Sequence, residues 1–131
     1  MSKLTTYQPY VLALLRMVTA YLFLLHGSAK LLGLPHVAMF DGLQLFSLYG
    51  LAGVLELVGG LFIFVGFLTR ISAFLLSGQM AVAYFMAHAS TDTVFLPLLN
   101  GGEGAVLFCF VFFYLVFSGA GALAIDNKLN K

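Results

Sequence analysis

Glu56 is the one charged residue in an otherwise apolar run. Five other residues able to donate, accept or exchange protons recur along the chain: His26, Lys30, His88, Asn100 and Glu103. A carboxylate, an ammonium group and imidazoles brought together offer hydrogen bonds to a polar ligand and groups that take up and release protons. Imidazole and carboxylate also suit several metals, and two histidines on separate helices can ligate a haem axially. Neither His26 nor His88 belongs to a ligand-spaced pair, so the metal and haem readings rank below the hydrogen-bonding one. The single cysteine, Cys109, excludes an internal disulfide and a C-x-x-C redox pair.

The elements that must position these groups follow from composition. The 131 residues are 62% hydrophobic and 8% charged, with a mean hydropathy of +1.05. One small soluble core cannot bury that much apolar surface. In a bilayer every backbone polar group must be paired within the protein, so spanning elements are helices of about 20 apolar residues or closed barrels. The apolar runs here are continuous, not alternating, which selects helices. Four segments, residues 10–34, 49–68, 71–89 and 104–123, approach the spanning length, and the chain reads as one all-α domain, an integral membrane four-helix bundle. Net charge is +1 with no basic tract and no Trp, which excludes nucleic acid as a partner and leaves the lipid bilayer. Lys3 ahead of an apolar stretch suggests a secretory signal, but Arg16 interrupts the stretch and no clean A-x-A site follows; the first run is read as a retained helix.

Only Thr69-Arg70 separates the second and third segments, making those helices antiparallel neighbours. The other connections, residues 35–48 and 90–102, are longer and carry Pro35, Asp41-Gly42, Pro97 and Asn100-Gly101-Gly102 as breakers. Lys3, Arg70, Lys128 and Lys131 fall at one end of the bundle, and Lys30, beside Asp41 and Asp92, at the other. The positive-inside rule then places both termini in the cytoplasm of a bacterial cell, the two longer loops outside, and Arg70 as a topology anchor.

A charge at the centre of a spanning helix costs about 2.5–3.5 kcal/mol on insertion scales, so it is expected to face a partner or a cavity. His26 and Lys30 lie near the outer end of helix 1, His88 near that of helix 3, and Asn100 with Glu103 at the outer start of helix 4. Glu56 sits about two turns below the outer end of helix 2, so all four helices are expected to contribute to one polar cluster in the outer half of the bundle. At about 100° per residue, Arg16, His26 and Lys30 fall within an arc of roughly 80°. Gly53, Gly59 and Gly60 flank Glu56 and admit a close neighbour. Glu56 therefore needs a cation from helix 1, and Lys30, His26 and Arg16 are the candidates. Gln79 and His88 are nine residues apart, on opposite sides of a straight helix.

Plainer roles stand beside these. Asn100 and Glu103 fit a capping box. Arg16 either snorkels to headgroups or pairs with Glu56. Lys30 and His88 either join the cluster or reach interfacial water.

The stretches Leu15-Arg16, His26-Gly27-Ser28-Ala29-Lys30-Leu31, Leu55-Glu56-Leu57-Val58-Gly59-Gly60 and Gly66-Phe67-Leu68-Thr69-Arg70, continuing through His88, Asn100-Gly101-Gly102-Glu103, Gly119-Ala120-Gly121-Ala122-Leu123 and Asp126, resemble the DoxX family of small membrane proteins. The usual G-P-G near the end reads Gly119-Ala120-Gly121 here. The resemblance implies a four-helix inner-membrane protein, linked in some relatives to redox complexes such as thiosulfate:quinone oxidoreductase. Quinone reduction needs donors to carbonyl oxygens and proton-trading groups, which His26, Lys30, Glu56 and His88 supply. With no flavin fingerprint and no iron–sulfur cysteine set, a redox partner protein must deliver the electrons. The alternative is a non-enzymatic membrane scaffold or lipid and small-molecule binder that assists a partner complex, in which the charges pin helix pairing; the expected partner is a redox protein or a second copy in a homo-oligomer.

Overall fold

The computed structural model describes residues 2–130. Four helices form the body: α1 (Gln8–Leu32), α2 (Leu48–Val65), α3 (Thr69–Ala83), which continues as a π-helical turn (Tyr84–His88), and α4 (Glu103–Ser118). A short α5 (Ile125–Leu129) follows. There is no strand among the described residues. α1 packs chiefly on α2 and α3 chiefly on α4, with α2 against α3 joining the two pairs.

Among the described residues three helices are long and apolar enough to cross a membrane; α4 is apolar but shorter. At about 1.5 Å per residue α4 is about 24 Å long, against a hydrocarbon core of about 30 Å. Large apolar side chains cover the outside of the bundle. At the end carrying the two long connections, Phe46 and Phe95 are 92% and 90% exposed.

The helix ends differ from the sequence reading, each for a backbone reason. The second helix stops at Val65, not residue 68, because Gly66 takes a left-handed conformation (φ 70°) and caps it. The turn between α2 and α3 is therefore Gly66 to Leu68, and α3 begins at Thr69. The fourth helix stops at Ser118, not residue 123: Gly119 leaves helical space (φ 74°, ψ −165°), and Leu123 is also left-handed.

The core lies at mid-height. Phe23 of α1 meets Phe112 of α4 edge to face at 5.0 Å, with Ala20, Ile63, Ala73 and Leu76 closing around them. This apolar layer separates two polar assemblies, one near the loop end and one near the end that carries both termini.

Candidate functional site at the loop end of the bundle

Close helix approach comes first, because it puts the charges within reach. A Cβ at Gly27 would stand 2.9 Å from the Leu57 backbone nitrogen, and one at Gly53 would stand 3.2 Å from Lys30 Cβ. With α1 and α2 that near, Lys30 reaches across and its Nζ lies 2.6 Å from Glu56 Oε1. Glu56 is only 2% exposed, and the Lys30 side chain is 12% exposed. From α3, Gln79 Nε2 donates to the same Oε1 at 3.3 Å and to the Ala52 carbonyl at 3.4 Å. Three helices thus converge on one carboxylate oxygen. The other, Oε2, and Gln79 Oε1 are buried and have no hydrogen-bond partner among the described residues.

Lys30 also lines an open cleft of about 250 Å³ formed with the loop after α1. Its Nζ lies 5.6 Å from the centre of the Phe40 ring, within the range of a cation–π contact. His36 and Asp41 on the cleft wall are joined at 2.8 Å. Lys30 is the side chain shared by the cleft and the buried carboxylate.

The remaining expected members lie elsewhere. His26 is exposed and meets Phe108 edge-on at 5.8 Å. His88 Nδ1 lies 3.3 Å from the Asn100 carbonyl oxygen. The Asn100 amide donates to Tyr84 Oη and to the Thr93 carbonyl, both at 3.0 Å, and its Oδ1 accepts from Gly102 N at 2.8 Å. Asn100 is therefore not the N-cap; Gly102 is, without a side-chain cap bond. Glu103 is exposed on the first turn of α4, where a carboxylate faces the positive end of the helix dipole. The π-helical turn carries Tyr84 and His88 to this second knot while Gln79 faces Glu56. Among the described residues no three His, Cys, Asp or Glu side chains are grouped to hold a metal ion.

Arg16 does not meet Glu56. It is fully buried near the terminal end, where its guanidinium donates to the carbonyls of Ala120 (2.5 Å), Leu123 (2.9 Å), Ala122 (3.2 Å) and Phe64 (3.5 Å). The planar fork of five donors suits a turn whose carbonyls have no helical partners. Arg70 is exposed and its Nη1 donates to Val116 O at 2.8 Å and Phe117 O at 2.6 Å, a cation on the negative end of α4. The Asp126 carboxylate accepts from Leu68 N at 2.8 Å and Thr69 N at 3.0 Å, capping α3 from a distant segment. Partial burial pushes the Asp126 carboxyl up, but the bonds from Thr69 and Leu68 and the Arg16 charge outweigh it and hold the group below its ordinary value.

Sequence alone left open which of Gln79 and His88 faces the interior, and gave Tyr84 and Asp126 no role in the site. Gln79 carried a signal, as an amide in an apolar helix. Tyr84 and Asp126 act through pairings that only the fold reveals.

Apolar helices around a buried ion pair and two polar knots define a multi-pass helical membrane protein. The chain belongs to the DoxX family, whose model matches residues 11–89. An uncharacterized protein of Haemophilus influenzae is 48% identical over 134 residues, covering 100% of this chain and 99% of that protein. A Bacillus subtilis protein named "Putative oxidoreductase CatD" is 30% identical over 121 residues, covering 90% of this chain and 86% of that one. No solved structure matches.

Proposed function

We propose that this chain is the ligand-binding membrane subunit of a redox complex in the bacterial inner membrane. It holds a quinone or similar small molecule at Lys30, Glu56 and Gln79, with the cleft beside Phe40 as the approach. The observation that carries this reading is the buried Lys30–Glu56 pair, whose lysine also lines an open cleft and whose carboxylate is short of partners on one oxygen among the described residues. A lysine offers three donors to ligand oxygens, and a carboxylate beside it can exchange a proton with the ligand. The name given to the Bacillus relative supports an oxidoreductase setting. With one cysteine in the chain, electrons come from a partner protein. Both termini are cytoplasmic in this reading, supported by Lys3, Arg70 and Lys128 at the terminal end, and the cleft then opens outward. His88 and Asn100 belong to a neighbouring knot with Tyr84, Glu103 stands exposed at the start of α4, and His26 faces the lipid side near the same depth.

The scaffold reading keeps one observation in its favour: Gly27 and Gly53 bring α1 and α2 together at the same ion pair, so the pair also pins helices. The two readings separate on extraction of the protein in native-lipid discs followed by mass spectrometry of bound small molecules. A quinone-class molecule that is retained by wild type and by Arg70→Lys, and lost from Glu56→Gln and Lys30→Met, is the expected result. Equal quinone content in all four preparations, or none in any, overturns the binding role.

A further inference from the structure

We infer that the site favours the reduced, hydroxyl-bearing form of its ligand, a hydroquinone in preference to a quinone; this rests on the reading that Lys30, Glu56 and Gln79 bind such a molecule. At this site the two buried polar atoms without partners among the described residues, Glu56 Oε2 and Gln79 Oε1, are both acceptors. The orientation of the Gln79 amide is fixed by chemistry: its Nε2 lies 3.3 Å from Glu56 Oε1, and exchanging the amide ends would set oxygen against carboxylate oxygen. What the pair lacks is therefore a donor.

A quinone presents only acceptors, so its carbonyl oxygens against Oε2 and Oε1 would repel. A hydroquinone hydroxyl donates to either one. Lys30 does not discriminate, since its N–H groups serve a carbonyl oxygen and a hydroxyl oxygen alike. Preference between the two forms thus comes from Glu56 and Gln79. Burial makes it matter, because a buried acceptor left unmet bears its desolvation cost. Lys30 borders both the cleft and Glu56, so a ligand entering from the cleft meets its side chain first.

The test uses the full chain in lipid nanodiscs under argon, titrated by calorimetry with 1,4-naphthohydroquinone, its dimethyl ether and 1,4-naphthoquinone. The expected result is hydroquinone binding roughly tenfold or more tighter than either other compound, the size of one hydrogen bond to a charged acceptor. Gln79→Leu should shrink that preference several-fold. Equal affinity for all three compounds, or tighter binding of the quinone, overturns the inference and leaves the proposed binding role standing. If none of the three binds, the binding role itself fails. The ligand series on wild type decides the matter even if Gln79→Leu does not fold.

Discussion

Lys30 and Glu56 meet at 2.6 Å where α1 and α2 run nearly backbone to backbone, so one contact is both the electrostatic centre of the site and a bolt between two helices. Removing either charge strands the other in a poorly solvated place. Glu56→Gln is expected to destabilise the protein in detergent by about 3 kcal/mol, the low end for a broken buried pair because Lys30 retains some exposure. Adding Lys30→Met should recover part of the loss. Thermal unfolding of both single variants and the double variant gives the coupling, and strict additivity would show that the contact is absent.

The glycines make a second, sharper expectation. Gly27 faces backbone, with Leu57 N 2.9 Å from a would-be Cβ, whereas Gly78 of α3 faces open space. Gly27→Ala should cost about 1–3 kcal/mol through overpacking, and Gly78→Ala should stabilise by about 0.5–1 kcal/mol through helix propensity. Melting temperatures that move the same way for both would contradict the described α1–α2 packing.

At the opposite end, Arg16 is expected to act through the carbonyls it gathers and not through charge balance with Glu56. Arg16→Lys keeps the charge but cannot span carbonyls from Phe64 to Leu123. Hydrogen exchange should then accelerate across residues 119–126 while peptides around Glu56 stay protected. Faster exchange around Glu56 alone would place Arg16 in the wrong network.

Asp126 makes the stability of the terminal end depend on pH. Its carboxyl is held below the ordinary value in the folded protein, so the contribution is fully present above the unfolded value near pH 4. It is lost as pH falls through the folded value. Wild type should lose melting temperature below about pH 4, and Asp126→Asn should start lower and show less of that acid-dependent loss. Parallel curves for the two proteins would remove Asp126 as the cap of α3.

The helical class and the Glu56 position were legible because a long apolar run and a buried charge are local facts of sequence. That Glu56 needed a helix 1 cation was legible too, with His26 or Lys30 leading Arg16, but the choice of Lys30 itself was not. Phase put Arg16, His26 and Lys30 on one face, while depth along the helix, about 1.5 Å per residue, decides which can reach Glu56. The end of α4 was misplaced because Ala120, Ala122 and Leu123 are compatible with a helix. Their carbonyls are instead drawn to Arg16, more than a hundred residues away in sequence. The expected single cluster divides into the Glu56 network and the Tyr84–Asn100–His88 knot for a similar reason: the π-helical turn at the end of α3 resets the phase that a straight helix would keep.

Photoaffinity labelling tests the central claim most directly. An azidoquinone irradiated with the protein in inverted and right-side-out vesicles, followed by peptide mapping, should label residues 29–43 and 52–57. Unlabelled 1,4-naphthohydroquinone should compete that labelling away, and Glu56→Gln should abolish it while Arg70→Lys leaves it intact. Labelling scattered over the lipid-facing helix surfaces, indifferent to competitor and to Glu56→Gln, would contradict a ligand site at Lys30 and Glu56.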